Sequence, residues 1–269
     1  MRSSTRSRSL RAPVGAPTPA ATGRAQQANR SSRMNIPDHI ERLRGALRLA
    51  VEIARLPQAR LRFHTALNPQ LVRHTHRMFT MPHPRYRLVP NKSLGIALID
   101  LRAYDSGEAY LRALRRRDYA GYHSRRARER GYTVVEIDRN DYIDAIHDIN
   151  TSADERQGRP MDPAYAARIA RYDPVDGLRH YGVLDKDGRL VAYGDVGVYG
   201  DFAATDRLLG YKNSDGVMYL LLADIACRLI DDGRLNYLMY DTYLGALPGL
   251  RNFKKKLGFQ PYRIRYSIC

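Results

Sequence analysis

The residues whose types could do chemistry fall into four groups. The polar stretch Thr151 to Asp162 carries Glu155, which can take a proton from an amine, and Arg156 and Arg159, which can grip a carboxylate or a phosphate. A surface loop is polar in any case, so substrate contact and simple solvation both remain open there. Asp241 and Tyr243 stand two residues apart on a predicted strand and so face the same side, although Asp241 equally suits a cap of the following loop. His64, His74, His76 and His83 include a His-x-His pair, but with neither helical spacing nor a neighbouring carboxylate they define no metal site. The fourth group is a run of arginines between Arg112 and Arg130. There is no nucleophile elbow, no phosphate-binding P-loop and no cysteine-histidine pairing, which turns the reading away from hydrolases.

The charge points to an anionic partner. The chain of 269 residues carries a formal net charge of +17. Residues 1–33 hold seven arginines and no acid among Ser, Thr, Ala, Pro and Gly, a composition that buries too little surface to fold. They are expected to be a disordered basic leader, either an organelle-targeting peptide or the product of an upstream start with Met34 as the true beginning. Without them the charge is still +10. Cys227 and Cys269 lie too far apart in context for a disulfide framework or a metal knuckle, which favours a reducing cytoplasm. No apolar run reaches the length of a membrane span.

The elements that must position these residues follow from periodicity. Ile40 to Leu56 is an amphipathic helix stopped at Pro57, and the stretch on to Pro90, rich in proline and histidine, reads as irregular. Leu94 to Leu101 is a short buried strand. Asp105 to Glu108 starts a helix that runs to Arg130 and ends at Gly131, exposing Arg115, Arg116, Arg125 and Arg126 either as a solvated face or as a surface for RNA or another phosphate-rich partner. Tyr132 to Ile137 is a strand, Asn140 to Asn150 a helix, and Tyr165 to Tyr172 a short helix. His180 to Leu184 and Leu190 to Tyr199 form a hairpin about an Asp-Gly turn, with Phe202 to Tyr211 as a third antiparallel strand. Gly216 to Ile230 is an apolar helix, Tyr237 to Tyr243 a strand, Gly249 to Leu257 a basic helix and Phe259 to Ile268 the last strand. This predicts a mixed α/β protein with a leader (1–33), an N-terminal extension of helices and a short strand (34–130) and a core (131–269).

That order, together with the segment Asp241-Thr242-Tyr243-Leu244-Gly245 through Gly249-Leu250, Phe253-Lys254 and Gly258-Phe259, resembles the GNAT acyltransferases. It is most similar to their Fem-like, peptidyltransferase branch, as is the arginine-rich Tyr110-Leu111-Arg112 through Arg125-Arg126-Ala127. The resemblance implies a mostly antiparallel sheet flanked by helices, in which two strands splay to admit a donor. It implies backbone contacts to the donor from Leu208, Leu209 and Gly210 and a donor site at Lys212, Asn213, Ser214 and Gly216. Asp241 and Tyr243 become candidates for proton transfer, with Glu155 on the acceptor side and Lys254 binding substrate. The implied activity is acyl transfer from acyl-CoA, as co-substrate rather than resident cofactor, or aminoacyl transfer from charged tRNA, to an amine-bearing acceptor in a ternary complex. A non-catalytic RNA-binding protein on the same core is the alternative. Two departures stand out. The loop Tyr211 to Val217 has one glycine where CoA users carry a glycine-rich phosphate loop, and Asp215 is expected to repel phosphate there. Phe253 stands where many members carry a tyrosine acid.

Overall fold

The computed structural model describes residues 36–84, 87, 89–156, 159–213 and 215–269. The chain divides into two compact units, residues 1–47 and 48–269. Of the first, residues 36–47 are described, as the opening part of helix α1 (Ile36–Arg55).

The second unit continues from α1 with β1 (Gln58–Phe63), α2 (Pro69–Thr80), β2 (Leu94–Asp100), α3 (Gly107–Ala113), α4 (Ala120–Glu129), β3 (Thr133–Glu136) and α5 (Ile143–Thr151). A short ribbon follows, β4 (Glu155–Arg156) and β5 (Arg159–Pro160). Then come β6 (Leu178–Leu184), β7 (Leu190–Val198), β8 (Phe202–Gly210), α6 (Val217–Asp232), β9 (Tyr237–Thr242), α7 (Pro248–Lys256) and β10 (Gln260–Ile268). Among the described residues eight strands make one sheet, in the order β1-β10-β2-β9-β8-β7-β6-β3. Its pairings are antiparallel except for β1 with β10 and β8 with β9.

Three expectations are corrected. The stretch before Pro90 is not irregular: Ala59, Leu61 and Phe63 alternate inward with Gln58, Arg60 and Arg62 outward to make β1. Asn68 then caps α2, accepting from Leu71 N at 3.1 Å, with Pro69 in the first turn. The arginine-rich helix is two helices rather than one. Leu114 ends α3 by turning into the core, Asp118 takes a left-handed φ of 67°, and Gly121 N donates back to Leu114 O at 3.2 Å. A Cβ at Gly121 would meet Leu111 O and Leu114 O at 2.6 and 2.8 Å, so only glycine allows that approach. Arg115, Arg116 and Arg117 consequently lie in the exposed link between the helices. Finally, Tyr165 to Tyr172 is not a helix beyond the single turn Pro163–Tyr165. Tyr172 N donates to Asn140 Oδ1 at 2.9 Å where a helix would use a main-chain oxygen, and the Arg168 side chain is drawn to Asp144 at 2.5 Å.

One face of the sheet is covered by α3, α4 and α6. α6 buries Leu220, Leu221, Leu222, Ile225 and Leu229 there, each worth about 1.5–3 kcal/mol of removal from water. α5 packs Ile146 and Ile149 against Tyr193 and Leu209 on the other face. β8 and β9 share only three paired positions, Phe202 with Tyr237, Ala203 with Leu238 and Ala204 with Met239. Beyond them each strand is kinked. β8 carries an irregularity opposite Gly194 to Val196, and β9 has one opposite Ile96 to Leu98, where Asp241 has a φ of 46°. Irregularities of this kind bend a strand away from its partner, and here they open the sheet.

Candidate active site

Two cavities lie along β8, the first of them at its gap with β9. One, of about 490 Å³, is lined by Thr205, Asp206 and Leu208 of β8, Tyr240 and Asp241 of β9, and Lys254 of α7. The other, of about 620 Å³, surrounds the start of α6 and is lined by Gly210, Lys212, Asn213, Gly216, Tyr219 and His123. Leu209 and Met161 belong to the walls of both.

In the first cavity Lys254 is 1% exposed. Its Nζ donates to the main-chain oxygens of Tyr240 and Thr242, both at 2.6 Å, and lies 4.2 Å from the centre of the Tyr240 ring. Burial pushes the ammonium down to about 8, with Asp241 opposing the shift and Lys92 adding to it. Two of its three N–H groups are taken by those oxygens, and among the described residues no partner is found for the third. Asp206, on the opposite strand, is open to the cavity but ringed by protein. Desolvation holds its carboxyl above the usual range, against the pull of Arg207. Next to it the Thr205 Oγ1 is buried without a hydrogen-bond partner among the described residues.

The second cavity joins the start of a helix to an aromatic wall. Gly216, at φ 82°, starts α6 without a side-chain cap, leaving the first N–H groups of a sixteen-residue helix directed at the cavity end. His123 stacks on Tyr219 with centroids 4.5 Å apart and planes 10° apart, and Tyr219 in turn packs on Phe253 at 4.5 Å. Burial, and then the nearby Lys256, hold the His123 imidazole below its ordinary value.

The expected residues are partly assembled here. Leu208, Leu209, Gly210, Lys212, Asn213, Gly216, Asp241 and Lys254 line the cavities, and Glu155, exposed, stands at the second of them. Ser214 lies outside the described residues. Arg156 and Arg159 face each other across the β4–β5 ribbon, and the side-chain roles expected for them lie outside the described residues. Tyr243 lines neither cavity among the described residues. The left-handed Asp241 breaks the two-residue alternation, and Tyr243, half-buried, packs against the core cluster of α6 instead. Asp241 itself pairs with Lys92. Asp215 is also corrected: Arg130 at 2.5 Å and the Tyr132 hydroxyl at 2.8 Å occupy its carboxylate, so it does not confront the donor site as a bare charge.

Sequence reasoning missed Asp206, Thr205, His123 and Lys92. A lone acid within the apolar run Phe202 to Gly210 was the available signal for Asp206; His123 was hidden in what read as a solvated basic helix. On that helix Tyr122 lies beneath Arg125 and Arg126, 5.9 and 5.6 Å from its ring centre. A further cavity of about 570 Å³ between α3 and α4 is lined by Arg115, Tyr122, Arg125 and Arg128.

A mostly antiparallel sheet flanked by helices, with one parallel pair that parts at mid-sheet over a helix N-terminus, is a GNAT-like fold. No family model matches the chain, and no curated protein matches it. Among solved structures it is similar to FemX (TM-score 0.48, 11% identity, covering 62% of this chain and 59% of that one). It is also similar to the C-terminal domain of a putative lysylphosphatidylglycerol synthetase from Agrobacterium fabrum (0.43, 16%, 62% and 57%). A third is a GCN5-related N-acetyltransferase from Kribbella flavida (0.39, 13%, 77% and 78%). The match spans less than two thirds of the first two of these structures. Among the described residues no helix is long and apolar enough to cross a membrane.

Proposed function

We propose that this chain transfers an acyl or aminoacyl group from a nucleotide-bearing donor to an amine, by direct attack within a ternary complex. The observation that carries this reading is a pair of cavities sharing Leu209 and Met161 beside the β8–β9 gap, with a buried ammonium, Lys254, on one side of the first and a carboxyl of raised pKa, Asp206, on the other.

The donor lies in the second cavity with its phosphate at the start of α6, and its carbonyl reaches past Leu209 into the first. The acceptor amine attacks the carbonyl carbon with its lone pair, and the oxyanion that forms is stabilised by the free N–H of Lys254. Asp206 takes the proton released from the amine nitrogen. The bond from the carbonyl carbon to the donor oxygen or sulfur then breaks, and the leaving atom is protonated from the cavity, where Lys254 is the acid at hand. No covalent enzyme intermediate is needed.

Of the two donors, aminoacyl-tRNA is favoured over acyl-CoA. In a 3′-aminoacyl adenosine the base is one ribose away from the ester, which suits an aromatic wall of His123, Tyr219 and Phe253 adjoining the reaction cavity. In acyl-CoA the pantetheine arm separates the two. The exposed Arg115, Arg116, Arg125 and Arg126 suit the remaining tRNA phosphates.

The test offers the full chain radiolabelled acetyl-CoA, longer acyl-CoAs and total charged tRNA, each with a mixture of primary amines, and counts label in hydroxylamine-stable amide. Transfer from charged tRNA that disappears in Lys254→Met supports the proposal. Transfer from acyl-CoA alone keeps the reaction and overturns the donor. Equal binding of charged and uncharged tRNA with no transfer overturns both in favour of the RNA-binding alternative.

A further inference from the structure

Asp241 lies in the reaction cavity as a carboxylate, which makes a proton carrier the obvious role for it. Its backbone suggests another. In a regular strand, carbonyl oxygens two residues apart are separated by about 6.6–6.8 Å, from a rise of ~3.3–3.4 Å per residue. The Tyr240 and Thr242 oxygens are both 2.6 Å from one nitrogen, Lys254 Nζ, and so cannot be farther apart than twice that distance. The strand between them is therefore contracted, and the residue between them is Asp241, at φ 46°, a conformation that side chains other than Asn, Asp and Gly rarely accept.

The surroundings hold that kink from both sides. Lys92 pairs with the Asp241 carboxylate and is itself fixed through its backbone, donating to Phe79 O at 2.9 Å and accepting from the Tyr266 hydroxyl at 2.5 Å. Immediately after the kink, Tyr243 N and Leu244 N both donate to Gly95 O, at 2.6 and 3.1 Å. Gly95 has a φ of 63°, and a Cβ on it would strike the Leu244 side chain at 2.6 Å.

We infer that Asp241 is a positioning residue: its left-handed backbone folds the carbonyls of Tyr240 and Thr242 into a clamp that aims the Lys254 ammonium into the cavity, and its carboxylate, tied to Lys92, serves to hold that conformation. This rests on the transferase reading for the purpose of the clamp, though not for its existence.

The experiment is a series at one position, Asp241→Asn, Asp241→Gly, Asp241→Ala and Asp241→Val, in the full chain. Asn and Gly accept the left-handed region, whereas Ala and Val resist it. The rate of amide formation from total charged tRNA is expected to be at least tenfold higher in Asn and Gly than in Ala and Val. The acid limb of the rate against pH should survive in Asn and Gly, because Asp206 rather than Asp241 supplies it. Lys92, Lys254 and Tyr266 are the ionisable groups beside this position, and Asp162, Tyr165, Asp206 and Tyr240 line the same cavity. If Asn and Gly are as slow as Ala, or lose the acid limb, the carboxylate itself is what matters and the inference is wrong. If Ala and Val are as fast as the parent, the conformation is irrelevant and it is equally wrong.

A second readout needs no turnover. In protein carrying carbon-labelled lysine, with Lys254→Arg to assign the signal, the Lys254 resonance should titrate alike in the parent, Gly and Asn proteins and move away in Val, or in Ala should Val not fold. A resonance unmoved in both Ala and Val overturns the clamp. A clamp confirmed in a chain that transfers nothing overturns the transferase reading alone.

Discussion

Arg130, the C-cap of α4, donates to the Asp215 carboxylate at 2.5 Å, one residue before Gly216 opens α6. A charge that sequence alone sets against phosphate is thereby neutralised by a residue 85 positions earlier. Arg130→Ala should uncover that charge at the helix start and raise the KM for the donor about two- to fivefold, the scale of a charge at a helix terminus. Adding Asp215→Asn to the same protein should restore it. Steady-state kinetics on the single and double variants measure both steps, and an unchanged KM in Arg130→Ala would show that the donor phosphate lies elsewhere.

Asp206→Asn should lower kcat by ~10²–10⁴-fold, the usual contribution of a positioned base, with little change in KM. The active form is the ionised carboxylate, and desolvation raises its pKa. The rate should therefore climb with pH through a limb above the ordinary carboxylate range, and that limb should vanish in the variant. A pH profile of kcat decides this.

Lys254 should leave a mark on stability. Its folded value of about 8 lies below its ordinary 10.5, so between these pH values the unfolded chain binds more protons than the folded one. Stability from this group accordingly rises with pH across that window, by about 3 kcal/mol at most. Urea unfolding at the two ends of the window should show this gain in the parent and not in Lys254→Met, and comparing the two proteins removes the contribution of the tyrosines.

Arg125→Ala and Arg126→Ala should weaken tRNA binding evenly across tRNA species. Each should flatten the slope of log affinity against log salt by about 1. Filter binding across a salt series reads this directly, and unaltered slopes would remove α4 from the RNA surface.

Gly121→Ala should cost about 1–3 kcal/mol, because the added methyl meets two main-chain oxygens that cannot move aside. The urea midpoint should fall accordingly. The same substitution at Gly188, where a Cβ meets nothing within 4 Å but φ is 78°, tests backbone strain without a clash.

What the sequence determined by itself is local. The apolar stripe of α6, the Asp-Gly turn joining β6 to β7 and Gly258 ending α7 each depend on neighbours within a few residues, and each is found where periodicity and turn chemistry put it. The place of Lys212, Asn213 and Gly216 before α6 was legible for the same reason, since they precede a helix that announces itself. The tertiary structure decided whatever depends on distant partners. The break between α3 and α4 requires Gly121 to meet the carbonyls of Leu111 and Leu114. Asp206 became a base candidate once β8 parted from β9 and the surrounding protein raised its pKa. The direction of Tyr243 was settled by a left-handed residue two positions before it, held there by Lys92, 149 positions away. Alternation along a strand is a property of regular backbone, and the backbone here is irregular where the sheet opens to form the site.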